Sequence, residues 1–86
     1  MRQRVLVIQA TWDDEARVWV AESEDVPGLV TEAATVEELA RKLRTMVPEL
    51  LMLNRHLLDS DDSDSELLLE LTARQALTLP PIHGGP

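Results

Sequence analysis

Val26-Pro27-Gly28-Leu29-Val30-Thr31-Glu32-Ala33-Ala34-Thr35-Val36-Glu37-Glu38 is the stretch in which sheet gives way to helix. Proline sets φ for the second position of a type II turn, and glycine supplies the positive φ of the third. Val26-Pro27-Gly28-Leu29 therefore reads as a turn, and Leu29 to Ala33 as a short strand after it. Thr35 stands three residues before Glu38, the spacing of a capping box. Glu37 and Glu38 in the first turn also suit the helix dipole. From there Val36, Leu39, Ala40, Leu43, Met46, Val47, Leu50 and Leu51 recur at helical spacing. Pro48 interrupts the pattern, but the stripe keeps its phase. The spacing predicts one kinked helix ending near Asn54 to Leu58.

Upstream, Val5-Leu6-Val7-Ile8 opens a strand that runs to Trp12, and Arg17-Val18-Trp19-Val20-Ala21 forms a second. Asp13-Asp14-Glu15-Ala16 between them is of hairpin length. A turn centred on Asp14 and Glu15 sets Trp12 opposite Arg17, Ala10 opposite Trp19 and Ile8 opposite Ala21. Leu6, Ile8, Ala10, Trp12, Trp19 and Ala21 then share one face, and Val5, Val7, Val18 and Val20 the other.

Downstream, Asp59-Ser60-Asp61-Asp62-Ser63-Asp64-Ser65-Glu66 is an acidic, solvated loop. The alternation of Leu67, Leu69, Leu71 and Ala73 with Leu68, Glu70, Thr72 and Arg74 predicts a fourth strand reaching to about Leu77. The chain is thus expected to be α+β, a two-layer β-β-β-α-β fold. An antiparallel-dominated sheet carries one long kinked helix on one face. Residues 1–78 form a single domain with the acidic loop at 59–66, and residues 79–86 form a tail. One helix covers one sheet face, so the remaining apolar face calls for a second subunit, joined through that face or through an edge strand.

Composition narrows the function. Eighty-six residues make one small domain, near the size where partner subunits often supply missing burial. Zero Cys removes disulfides, thiol catalysis and Cys–zinc sites, and fits a cytoplasmic chain. Eight Lys and Arg against sixteen Asp and Glu give a net charge of −8, which repels phosphate backbones and favours a basic partner. No window suits a signal peptide or a membrane span.

Candidate sites are few. Asp59, Asp61, Ser63 and Glu70 fall at calcium-loop positions, but Asp64 stands where glycine is required, so the run reads as a solvated loop. His56 and His83 form no metal-ligand pair, and no serine sits in a nucleophile motif. Trp12 and Trp19 lack the basic groove of a single-strand binder and read as packing residues. No catalytic, cofactor or metal residue is nominated.

Ala10-Thr11-Trp12-Asp13, Ala16-Arg17-Val18-Trp19-Val20-Ala21-Glu22-Ser23 and Asp25-Val26-Pro27-Gly28-Leu29-Val30-Thr31-Glu32-Ala33 resemble the motifs of a small bacterial family of HicB-like domains of unknown function. Thr35-Val36-Glu37-Glu38-Leu39 and Val47-Pro48-Glu49-Leu50-Leu51, with Asn54, continue the match, which covers about residues 5 to 75. The Pro-Gly turn and capped helix also resemble the N-terminal domain of HicB antitoxins. The resemblance implies a degenerate ribonuclease H-like fold without its catalytic acids. It also implies self-association and, as in HicB proteins, capture of a small basic HicA-like toxin that cleaves RNA. HicB antitoxins usually add a helix-turn-helix or ribbon-helix-helix domain. The segment from Pro80 to Pro86 leaves no room for one, so direct DNA binding is not expected.

The leading expectation is a non-enzymatic, cytoplasmic, homodimeric binding module without cofactors, antitoxin-like toward a basic toxin. Its interface residues would be Trp12, Trp19, Val18, Val20 and Leu68. The alternative is a metal-dependent ribonuclease H-like enzyme using Asp13 or Asp14 with Glu32.

Overall fold

The element order in the computed structural model is β1 (Gln3–Asp13), β2 (Val18–Glu22), β3 (Val30–Ala33), α1 (Val36–Leu53) and β4 (Glu66–Arg74). The structure describes residues 3–53, 66–82 and 84. The sheet order is β3-β2-β1-β4. β1 and β2 are antiparallel, as are β2 and β3, while β4 lies parallel to β1. The protein is α+β, its described residues forming a four-stranded mixed sheet and one helix, as the residue patterns predict.

The hairpin differs from expectation in register. Trp12 pairs with Trp19 and Ala10 with Ala21, two residues from the predicted alignment. The cause is a four-residue loop, Asp14 to Arg17, organised by Asp13. The Asp13 carboxylate accepts from the Glu15 and Ala16 amides at 3.1 and 3.2 Å, and its carbonyl accepts from the Arg17 amide at 2.8 Å. Arg17 closes the loop at φ 61°, a left-handed conformation unusual for a residue with a side chain. A shift of two residues preserves strand parity, so the predicted faces stand although the predicted partners do not.

The Pro-Gly turn forms as read. The Leu29 amide donates to the Val26 carbonyl at 3.2 Å, and Gly28 sits at φ 83°. Val26 and Leu29 are buried on either side of it, anchoring the turn to the core. Thr35 caps α1, its hydroxyl accepting from the Glu38 amide at 3.1 Å. The helix continues through Pro48, held by the buried stripe Leu39, Leu43, Val47 and Leu51. Its predicted end, near Asn54 to Leu58, lies outside the described residues.

That stripe packs on Leu6, Ile8, Ala10, Ala21 and Ala33, so the helix covers the tryptophan side of the sheet. Lys42 ties the helix to β3 by donating to the Glu32 carbonyl at 2.7 Å. β4 is a strand, and it ends at Arg74 rather than Leu77, because the ladder with β1 stops at the Thr11–Arg74 pair. Asp59 to Ser65 of the acidic run lie outside the described residues, and Glu66 is the first residue of β4.

Candidate interaction surface

β1 is longer than β2, so its backbone outruns its partner. Two side chains fill in for the missing strand. The Ser23 hydroxyl donates to the Val7 carbonyl at 2.6 Å, and the Asp25 carboxylate accepts from the Val7 amide at 2.8 Å. The Asp25 amide in turn donates to Ser23 Oγ at 3.0 Å. Asp25 is thus committed to the scaffold.

The five residues nominated from the sequence do not form one patch. Trp12 and Trp19 are a cross-strand pair on the helix side, with ring centroids 5.3 Å apart and planes tilted by 59°. The Arg17 guanidinium lies 5.3 Å from the Trp12 ring centre and bridges to the Asp14 carboxylate at 2.8 Å. Trp12 Nε1 donates to the same carboxylate at 3.3 Å. This cluster stiffens the hairpin tip. Val18, Val20 and Leu68 lie on the opposite sheet face, Leu68 beside Val5 and the two valines at the far end, beside Asp13 and Thr11.

Register places the outer face in detail. Val5, Val7, Val18, Val20, Val30 and Leu68 point outward with Asp13, Glu22, Glu32, Glu66 and Glu70. Arg74 is the only cation at the paired positions of that face. The other described cations lie elsewhere: Arg41, Lys42 and Arg44 on the helix, Arg17 in the hairpin loop, Arg4 on the helix side of β1. The outer face therefore carries two apolar patches, Val5, Val7 and Leu68 at one end and Val18 and Val20 at the other, parted by Gln9, Thr11 and Glu22, with carboxylates beside both.

The carboxylates proposed for metal chemistry are not brought together. Asp13 organises the loop, Asp14 holds Arg17, and Glu32 points outward from β3 beside Val20. Among the described residues no three His, Cys, Asp or Glu side chains are grouped to hold a metal ion. Nor is any polar side chain buried among them. No described helix is long and apolar enough to cross a membrane.

Sequence reading allowed for pairing at an edge strand but did not say which strand lies at the edge. β4 is an edge strand of nine residues, and Leu67 and Leu68 are 45% and 46% exposed. Beside it, Ile8, Ala40, Leu43, Arg44, Leu69 and Leu71 line a groove of about 120 Å³ between α1 and β4. The signal was present in the alternation of β4, but which strand it joins is a long-range matter that spacing does not reveal.

No curated protein matches the sequence. A crystal structure of a hypothetical protein from the extremely thermophilic bacterium Thermus thermophilus is similar, with a TM-score of 0.73 and 54% sequence identity. That match covers 88% of this chain and 100% of the other. The family described as "Domain of unknown function (DUF1902)" matches residues 5–79. That span takes in every strand from Val5 onward and the whole helix, and the chain accordingly belongs to the DUF1902 family.

Proposed function

We propose that this protein is a non-catalytic, HicB-like binding module of the cytoplasm that self-associates and captures a small basic protein, as an antitoxin captures its toxin. The observation that carries this reading is the outer face of the sheet, which no described element covers. Apolar Val5, Val7 and Leu68 at one end and Val18 and Val20 at the other are interspersed there with Asp13, Glu22, Glu32, Glu66 and Glu70. Apolar patches supply affinity once desolvated, while surrounding charge of one sign steers a partner of the opposite sign and rejects others. The net charge of −8 extends that steering beyond the face. The resemblance of the Pro-Gly turn and capped helix to HicB antitoxins points to the same class of partner.

The reading is tested by affinity purification from the native cell at low salt. A basic protein of under roughly 100 residues, rich in Lys and Arg, is expected to be retained and to be released as salt rises. Glu22→Lys combined with Glu70→Lys is expected to abolish retention without altering the circular dichroism spectrum. Failure to retain a basic protein, or retention indifferent to the charge reversal, would overturn the proposal.

A further inference from the structure

β4 stays amphipathic past the point where it stops being a strand. Its helix-side positions are Leu67, Leu69, Leu71 and Ala73, and the same every-second-residue series continues as Gln75, Leu77 and Leu79. Of the alternate positions, Leu68 is apolar, while Glu66, Glu70, Thr72, Arg74, Ala76 and Thr78 are polar or small. A period of two marks a strand with one buried face. Yet residues 75–82 have no regular structure, and Leu77 and Leu79 are each 73% exposed, Ile82 90%. The pattern prepares this segment for a sheet pairing that the described residues of its own chain do not provide.

An acceptor exists on the same molecule. Among the described residues no strand pairs with the outer edge of β4, and the groove between α1 and β4 is lined by Ile8, Ala40, Leu43, Leu69 and Leu71, with Arg44 beside them. Its volume of about 120 Å³ is of the same order as an apolar cavity of about 150 Å³ that takes up benzene. The segment does not reach its own groove. It would have to reverse direction at Gln75-Ala76, and two-residue hairpin turns require positive φ, supplied by Gly, Asn or Asp. Among the described residues only Arg17 and Gly28 have positive φ, so no such reversal is present.

We infer that residues 75–82 are an exchanged arm, which adds antiparallel to the open β4 edge of a second copy and seats Leu77 and Leu79 between that copy's α1 and β4. Two-fold symmetry makes the exchange reciprocal. An axis passing near Arg74 sets Leu77 opposite the partner's Leu71 and Leu79 opposite the partner's Leu69. Directly opposed residues share a sheet face, so both leucines enter on the helix side. Pro80 and Pro81 lack an amide to donate and end the added strand. The inference deepens the self-association part of the reading above by naming the segment responsible, and it does not depend on the basic partner.

Light scattering on the full chain is expected to give the dimer mass, and Leu77→Asp with Leu79→Asp the monomer mass. Both residues are exposed within one chain, so the circular dichroism spectrum should not change. A variant that stays dimeric overturns the arm and leaves self-association standing; a native chain at monomer mass overturns both. The absence of cysteine allows a second measurement. Chains bearing Ala40→Cys, co-expressed with chains bearing Leu79→Cys, are expected to form a disulfide-linked pair of unlike variants under mild oxidation. A link that forms only when both substitutions share one chain places the arm on its own groove and overturns the exchange.

Discussion

At Gly28 the backbone passes through φ 83° between two buried anchors, Val26 and Leu29. A Cβ there would meet only the Leu50 Cδ2 atom, at an ordinary 3.8 Å, so the cost of a side chain lies in the backbone. Gly28→Ala is expected to destabilise by about 1–2 kcal/mol and Gly28→Asn by less, measured by urea denaturation. Arg17 poses the reverse case, a side chain held at φ 61° by a carboxylate and an indole ring. Arg17→Ala keeps the backbone cost and loses those contacts, whereas Arg17→Gly loses the contacts and removes the cost. The glycine variant should therefore be the more stable of the two by about 1 kcal/mol. Asp25 holds the Val7 amide where β2 has run out, and Asp25→Ala should cost about 1–3 kcal/mol in the same assay.

At the scale of elements, α1 combines a good start with a poor middle. Thr35→Ala removes the cap from the Glu38 amide and should cost about 1 kcal/mol. Pro48 removes a helical hydrogen bond at an exposed position, so Pro48→Ala should stabilise, by roughly 1–3 kcal/mol. Thermal unfolding of both variants checks the opposite signs. The helix was legible because its cap and its stripe are local patterns, and so was the Pro-Gly turn. The hairpin register was not, because Asp13 spends its side chain on the loop amides and lengthens the connection. The faces survived that error because strand parity has a period of two. The nominated site residues were legible as apolar and outward or inward. Which of them share a patch depends on pairings such as Val5 with Leu68, which join distant parts of the chain.

For the whole molecule, the asymmetry between its layers matters most. Carboxylates stud the outer sheet face, while Arg41, Lys42 and Arg44 ride on the helix layer. The core lies between them and is built from Leu, Ile, Val and Ala, with the two tryptophans and Met46 at its margins or beyond. A domain of this size buries a modest share of its surface alone. Its melting temperature is expected to rise with protein concentration, as mass action requires of a dimer. That dependence should vanish in the Leu77→Asp, Leu79→Asp variant, which calorimetry across a dilution series would show.

The parallel pairing of β1 with β4 also orders events in time. β1 reaches its β2 neighbour through one short loop, but it meets β4 only after β2, β3 and α1 have been made. Contacts so distant in sequence are slow to close. During synthesis, β1, β2, β3 and α1 can assemble while one flank of β1 waits, offering its Leu6 and Ile8 backbone to any passing strand. Pulsed hydrogen exchange during refolding should find β4 amides protected last, after those shared by β1 and β2. A growing chain thus passes its most adhesive interval between the emergence of α1 and that of β4, which makes it a natural client for chaperones that shield unpaired strands.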